Sequence, residues 1–157
     1  MSYGRIIQAA HGPPENELPA ALAPRPGIVW RGDGIAIAVP SLLAYTTGVW
    51  LLIQCRTRDK QPRTVEHTRA TSDALRGLTA NDHPVELLGG DHTDHGFTYR
   101  GWVQLHETSN NEATGITFKL EWPGITPGER HVDGLLDATR QVVVLWSADD
   151  GQITAGA

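Results

Sequence analysis

Cysteine is nearly absent from this 157-residue chain, with Cys55 standing alone. No internal disulfide can form, so the fold must be held by its core, and a reducing compartment is the natural setting. Long apolar runs are missing too. None approaches the roughly 20 residues that a membrane-spanning helix needs, and Met1 to Ile7 lacks the apolar stretch of a signal peptide. A soluble, cytoplasmic protein without membrane association is expected. Basic residues do not dominate, since 13 Lys and Arg face 18 Asp and Glu, for a net charge of −5. Nucleic acid is therefore not an expected partner, because phosphate-backbone binders carry a basic excess. There is no Gly-x-Ser-x-Gly elbow, no phosphate-cradling P-loop and no internal repeat.

What the chain does have is turn-forming residues and tryptophan. Seventeen Gly and ten Pro suit short strands joined by many turns. Five Trp lie in or beside stretches of alternating polarity. In Ile116–Trp122, Ile116, Phe118, Leu120 and Trp122 share one face and Thr117, Lys119 and Glu121 the other, the pattern of a half-buried strand. Val49, Leu51, Ile53 and Cys55 likewise form the apolar, inward face of a strand from Val49 to Arg58. Gly27–Trp30, Ile35–Val39, Leu42–Tyr45, Pro84–Leu88 and Phe97–His106 read as further strands. Pro40-Ser41 predicts a bulge or an edge, since proline donates nothing to a ladder. Thr46-Thr47-Gly48 predicts a turn with Gly48 at positive φ.

Helical signals are few. Thr71–Leu78 could form a turn or two. At the end of the chain, Leu135, Leu136, Thr139, Val142, Val143 and Trp146 fall on one helical face, with Asp133 placed to cap. Val142–Trp146 alone also reads as a strand, and the helix over Leu135–Trp146 is the favoured reading. The expected fold is an all-β sandwich of about seven to eight antiparallel strands with one C-terminal α-helix. Residues 1–23 are expected to be an irregular arm whose Ile6 and Ile7 could dock somewhere or pair with an edge strand, 24–149 the domain and 150–157 a frayed tail.

Several segments together resemble a family of uncharacterised small actinobacterial proteins. The resemblance runs through Ile35–Val39, Leu43-Ala44-Tyr45 and Gly48, then Phe118, Glu121-Trp122-Pro123 and Ile125, and closes at Leu145-Trp146. It covers about 70 residues in two blocks. It implies the order of the strands and a helical ending, and brings with it no activity, cofactor or site residue.

Chemistry-bearing residues gather in Asp91-His92-Thr93-Asp94-His95, expected in a loop from Gly89 to Gly96. Imidazole and carboxylate both suit a divalent metal, but one short loop rarely aims enough ligands at one point. His83, His106 or His131 would have to help. His92 with Asp91 or Asp94 could do acid–base work, although no activated nucleophile accompanies them. Cys55, on an inward face, reads as packing. Arg31-Gly32-Asp33 reads as a turn. Arg56, Arg58, Lys60, Arg63 and Arg69 form a basic run diluted by Asp59 and Glu66, the solvated end of a strand and its loop. Trp50 and Trp102 lie on the less apolar faces of their strands, where an uncovered aromatic could anchor a partner. Trp50, Trp102, His92 and His95 are thus the candidate binding residues. No catalytic residue, metal site or cofactor is assigned. The expected function is a non-catalytic binding or assembly module acting through a sheet face or edge, with another protein or a second copy as partner. The alternative is a metal- or small-ligand-dependent enzyme using Asp91–His95.

Overall fold

The computed structural model describes residues 12–22, 27–105 and 115–147. Along them run β1 (Glu17–Leu18), β2 (Ala20–Leu22), β3 (Ile28–Gly32), β4 (Ile35–Ala44) and β5 (Gly48–Thr57). Helix α1 (Val65–Ala74) follows, then β6 (Leu78–Ala80), β7 (His83–Pro84), β8 (Glu86–Thr93) and β9 (Gly96–Gln104). The described chain ends with β10 (Gly115–Leu120), β11 (Gly128–Asp133), α2 (Leu135–Arg140) and β12 (Val143–Val144). The docking expected of Ile6 and Ile7, the polar connection through Asn110-Asn111 and the tail from 150 lie outside the described residues.

The fold is all-β with a short C-terminal helix. Six strands make the main sheet, in the order β2-β4-β5-β9-β8 with β3 also on β4. A second sheet runs β11-β10-β6-β7, and β1 and β12 form a separate two-stranded ribbon. All the pairings are antiparallel.

Pro40 organises one edge of the main sheet. Ile35–Val39 pair with β3 and Leu42–Ala44 pair with β2, so two short strands lie end to end along β4. Pro40 and Ser41, both exposed, occupy the seam between them. On the opposite side the β4–β5 register shifts between Ala38 and Ser41. The expected bulge is therefore present, placed where a missing N–H leaves no partner unsatisfied. Within the stretch expected as an irregular arm, β1 and β2 are strands, and Ala20 and Leu22 are buried. The β4 edge beyond Pro40 offers unpaired backbone groups, and Ala20–Leu22 supplies their partners.

One core joins the two larger sheets. Phe118 and Trp30 are fully buried in it, with Ile37, Leu51, Ile53 and Leu120. The indole N–H of Trp30 donates to the Gly128 carbonyl at 2.9 Å, and Arg130 Nε donates to the Val29 carbonyl at 3.2 Å, tying β3 to β11. The alternation over Ile116–Leu120 holds as expected. Trp122 lies past the strand end and is only half-buried. The inward face of β5 is also as expected, with Val49, Leu51, Ile53 and Cys55 buried.

The helical expectations shift. Thr64 starts α1, its hydroxyl accepting from the His67 N–H at 3.1 Å, so the helix begins before the Thr71-Ser72-Asp73 capping expected from sequence. Thr71 and Ser72 instead bond back to the carbonyls of His67 and Thr68. The longer C-terminal helix is corrected more sharply. It stops at Arg140, and Val143–Val144 pair with Leu18 and Glu17. Asp133 does not cap it, because its carboxylate accepts from His131 Nε2 at 2.8 Å. β-Branched residues lose freedom in a helix, and β1 offers a ladder instead. Leu135 and Ala138 pack inward as the short helix requires, while Trp146 stays about half exposed.

Candidate functional site

Trp50 and Trp102 are cross-strand partners on β5 and β9. Trp102 is not an exposed platform, because it is fully buried. Tyr45 meets its ring edge-on at 5.7 Å, and its indole N–H donates to Gln104 Oε1 at 3.0 Å. Gly48 makes the space. A Cβ there would stand 2.6 Å from the Trp102 ring and 2.2 Å from the Val103 carbonyl oxygen. Gly48 is needed for close approach, and not for the positive φ expected of it, since its φ lies outside that region. Trp50 remains half-buried.

The expected Asp91–His95 loop is mostly strand. Glu86–Thr93 pairs with β9 through a register shift between Leu87 and Gly89, leaving Asp94 and His95 as the turn. The glycines that suggested a loop serve the ladder: at Gly90 a Cβ would meet the Tyr99 ring at 2.4 Å. His92 and His95 take different partners. His95 Nδ1 lies 3.1 Å from the Thr57 carbonyl, and His92 Nε2 lies 2.6 Å from the Tyr99 hydroxyl. Among the described residues no group of three or more His, Cys, Asp and Glu is placed to hold a metal ion.

His92 belongs to a chain of polar contacts whose directions follow from counting protons. Ser72 Oγ donates its single proton to the Thr68 carbonyl at 3.0 Å. It must then accept from the Tyr99 hydroxyl, 3.0 Å away. Tyr99 has no second proton, so His92 Nε2–H donates to it and Nδ1 keeps the lone pair. Burial lowers the His92 pKa, the proximity of His67 and of the Arg63 guanidinium adds to the effect, and Asp91 opposes it. The ring is therefore neutral at pH 7. Beside it lies a pocket of about 140 Å3 between α1 and one end of the main sheet. Phe97 and Trp122 stand against each other on its wall, ring centroids 5.9 Å apart. Cys55 also lines it, and burial pushes that thiol up to about 11. It is protonated and unreactive near neutrality, in keeping with the packing role.

The sequence reading missed a second polar cluster. Thr117 and His131 are cross-strand partners on β10 and β11, and Thr117 Oγ1 lies 3.0 Å from His131 Nδ1. With the His131–Asp133 contact, this lines up hydroxyl, imidazole and carboxylate in the order hydrolases use, but with the roles of the two ring nitrogens exchanged. The carboxylate, however, is 92% exposed. Water competes for every group, and an exposed pair of this kind adds little. The i,i+2 spacing of His131 and Asp133 on a strand would have indicated their shared face. The basic run is exposed, as the end of a strand and its loop would be, but its acid partners differ in part from those expected: Arg58 pairs with Asp33 at 3.5 Å and with Asp59 at 3.7 Å, and Lys60 and Arg63 both reach Asp94. Arg31 and Gly32 end β3, and Asp33-Gly34 is the hairpin turn to β4.

The β1–β12 ribbon was missed as well. Leu18, Val143, Val144, Leu145 and Trp146 are each about half exposed on it. Beyond the strand pairing, Leu145 N–H donates to the Asn16 carbonyl, and Asn16 Nδ2 donates to the Trp146 carbonyl at 2.8 Å. The signal was the run Val142–Trp146 itself, five apolar residues with no polar alternation. No charged residue lies between Arg140 and Asp149.

These features define an all-β protein with a small pocket and a ribbon whose exposed side chains are mostly apolar, Glu17 being its one charged residue and bonding to Thr46. No protein-family model matches the chain, and neither does any curated protein or solved structure.

Proposed function

We propose that this protein is a non-catalytic assembly module that pairs with a second copy of itself through the β1–β12 ribbon. The observation that carries the reading is the ribbon's row of half-exposed apolar side chains on strands that, among the described residues, pair only with each other. Sheet edges are normally blunted with lysine, proline or inward charges. From Gln141 to Ser147 the chain has none of these. A strand edge is also self-complementary about a two-fold axis, so β12 can face its own copy with valine against valine. A cytoplasmic setting belongs to this proposal, supported by the unpaired, buried Cys55 thiol. The resemblance to actinobacterial proteins also belongs to it, and lends no activity.

The enzyme reading on Asp91–His95 draws less support. Its two histidines bond to separate partners, His92 to the Tyr99 hydroxyl and His95 to the Thr57 carbonyl.

Sedimentation velocity across a concentration series tests the assembly. The wild-type chain should form dimers, and Val144→Lys should weaken them at least tenfold while leaving the melting temperature within a few degrees, as exposed substitutions do. A wild-type chain that stays monomeric at its solubility limit would overturn the proposal.

A further inference from the structure

We propose that the pocket beside His92 is a binding site for a neutral, benzene-sized ring that carries a hydrogen-bond donor, of the phenol class. The size sets the first limit. An apolar cavity of about 150 Å3 takes one benzene ring, and this pocket measures about 140 Å3. Its aromatic wall of Phe97 and Trp122, with the His92 ring 5.6 Å from Phe97, offers faces and edges to a flat guest.

The polar wall sets the second limit. Thr71 donates its hydroxyl proton to the His67 carbonyl at 2.8 Å, and Thr57 donates to the Asp59 carbonyl at 2.8 Å. Toward anything else, both hydroxyls can only accept. His92 has its Nε2 proton committed to Tyr99, so its remaining nitrogen also accepts. Gln61 and His67 can serve either way, the Thr93 hydroxyl gives its proton to the Gly96 carbonyl, and the donors on the wall are the weak Cys55 thiol and the Trp122 indole N–H. A wall weighted toward acceptors matches a guest that donates. It disfavours a carboxylate, which can only accept and would be stripped of water against Phe97 and Trp122. This site is separate from the β1–β12 ribbon and does not depend on the assembly reading.

Amide spectra of the 15N-labelled full chain at pH 8, titrated with phenol, benzene and benzoate, test the proposal. Phenol should give saturable shifts centred on Thr93, Gly96 and Phe97. Benzene should bind the same place about tenfold more weakly, the loss of one good hydrogen bond, and benzoate should leave these amides unmoved. Thr71→Val should bring phenol toward the benzene affinity, and Thr71→Ser, which keeps the hydroxyl, should retain it. Absence of saturable shifts with phenol would overturn the site, leaving a pocket that holds only water. Equal affinity for phenol and benzene in the wild type would overturn the donor preference, whatever the variants do.

Discussion

Gly48 shows how one residue governs a neighbourhood. Its missing side chain admits the Trp102 ring and the Val103 backbone. Gly48→Ala should therefore destabilise by about 3 kcal/mol, the upper part of the usual overpacking cost, as read from a denaturant titration. The obstruction includes a carbonyl oxygen that no rotamer change can move. His92 makes a second claim at this scale. Its folded-state pKa lies below the ordinary 6.5, so at pH just under 6.5 the unfolded chain binds the extra proton and the folded chain resists it. Stability from this group is complete above pH 6.5 and is lost as the pH falls toward the depressed value. The ring proton of His92 followed by NMR should titrate below 6.5. In the Tyr99→Phe variant the ring loses its hydroxyl partner, and its titration midpoint should move from the wild-type value.

Among the elements, α1 depends on its first residue. Thr64→Ala removes the acceptor for the His67 N–H and should cost about 1 kcal/mol, the typical value for losing an N-cap. A thermal melt unchanged within error would show that the cap is redundant. The strands that could be read from sequence were those whose alternation matched their burial, such as β5 and β10. Pro40 was legible because its chemistry permits few positions. The C-terminal segment was not. Its helical face and its β-branched run were both real, and the outcome turned on Glu17–Leu18, about 125 residues away, which no local pattern could weigh. The Asp91–His95 turn misled for a related reason. Gly89 and Gly90 signalled a loop, whereas Gly90 is there to let the Tyr99 ring close over the strand. The pocket was only half visible: His92 stood out by type, but His67, Thr71, Phe97 and Trp122 line it from elements that tertiary packing alone brings together.

For the whole molecule, the ribbon joins opposite ends of the described chain. Asn16, Glu17 and Leu18 lie hydrogen-bonded beside Val143 to Trp146. Residues near 17 and near 144, far apart along the polypeptide, thus lie side by side in space. A circular permutant should be tolerated: every residue kept, the chain's first and last residues joined by a flexible linker, and new ends opened in the Asp33-Gly34 turn, where Asp33 is exposed. Its amide spectrum should overlay that of the parent away from the cut and the linker. A permutant that fails to fold would mean that the β3–β4 hairpin must form as one covalent piece to guide the rest, turning a question of geometry into one of assembly order.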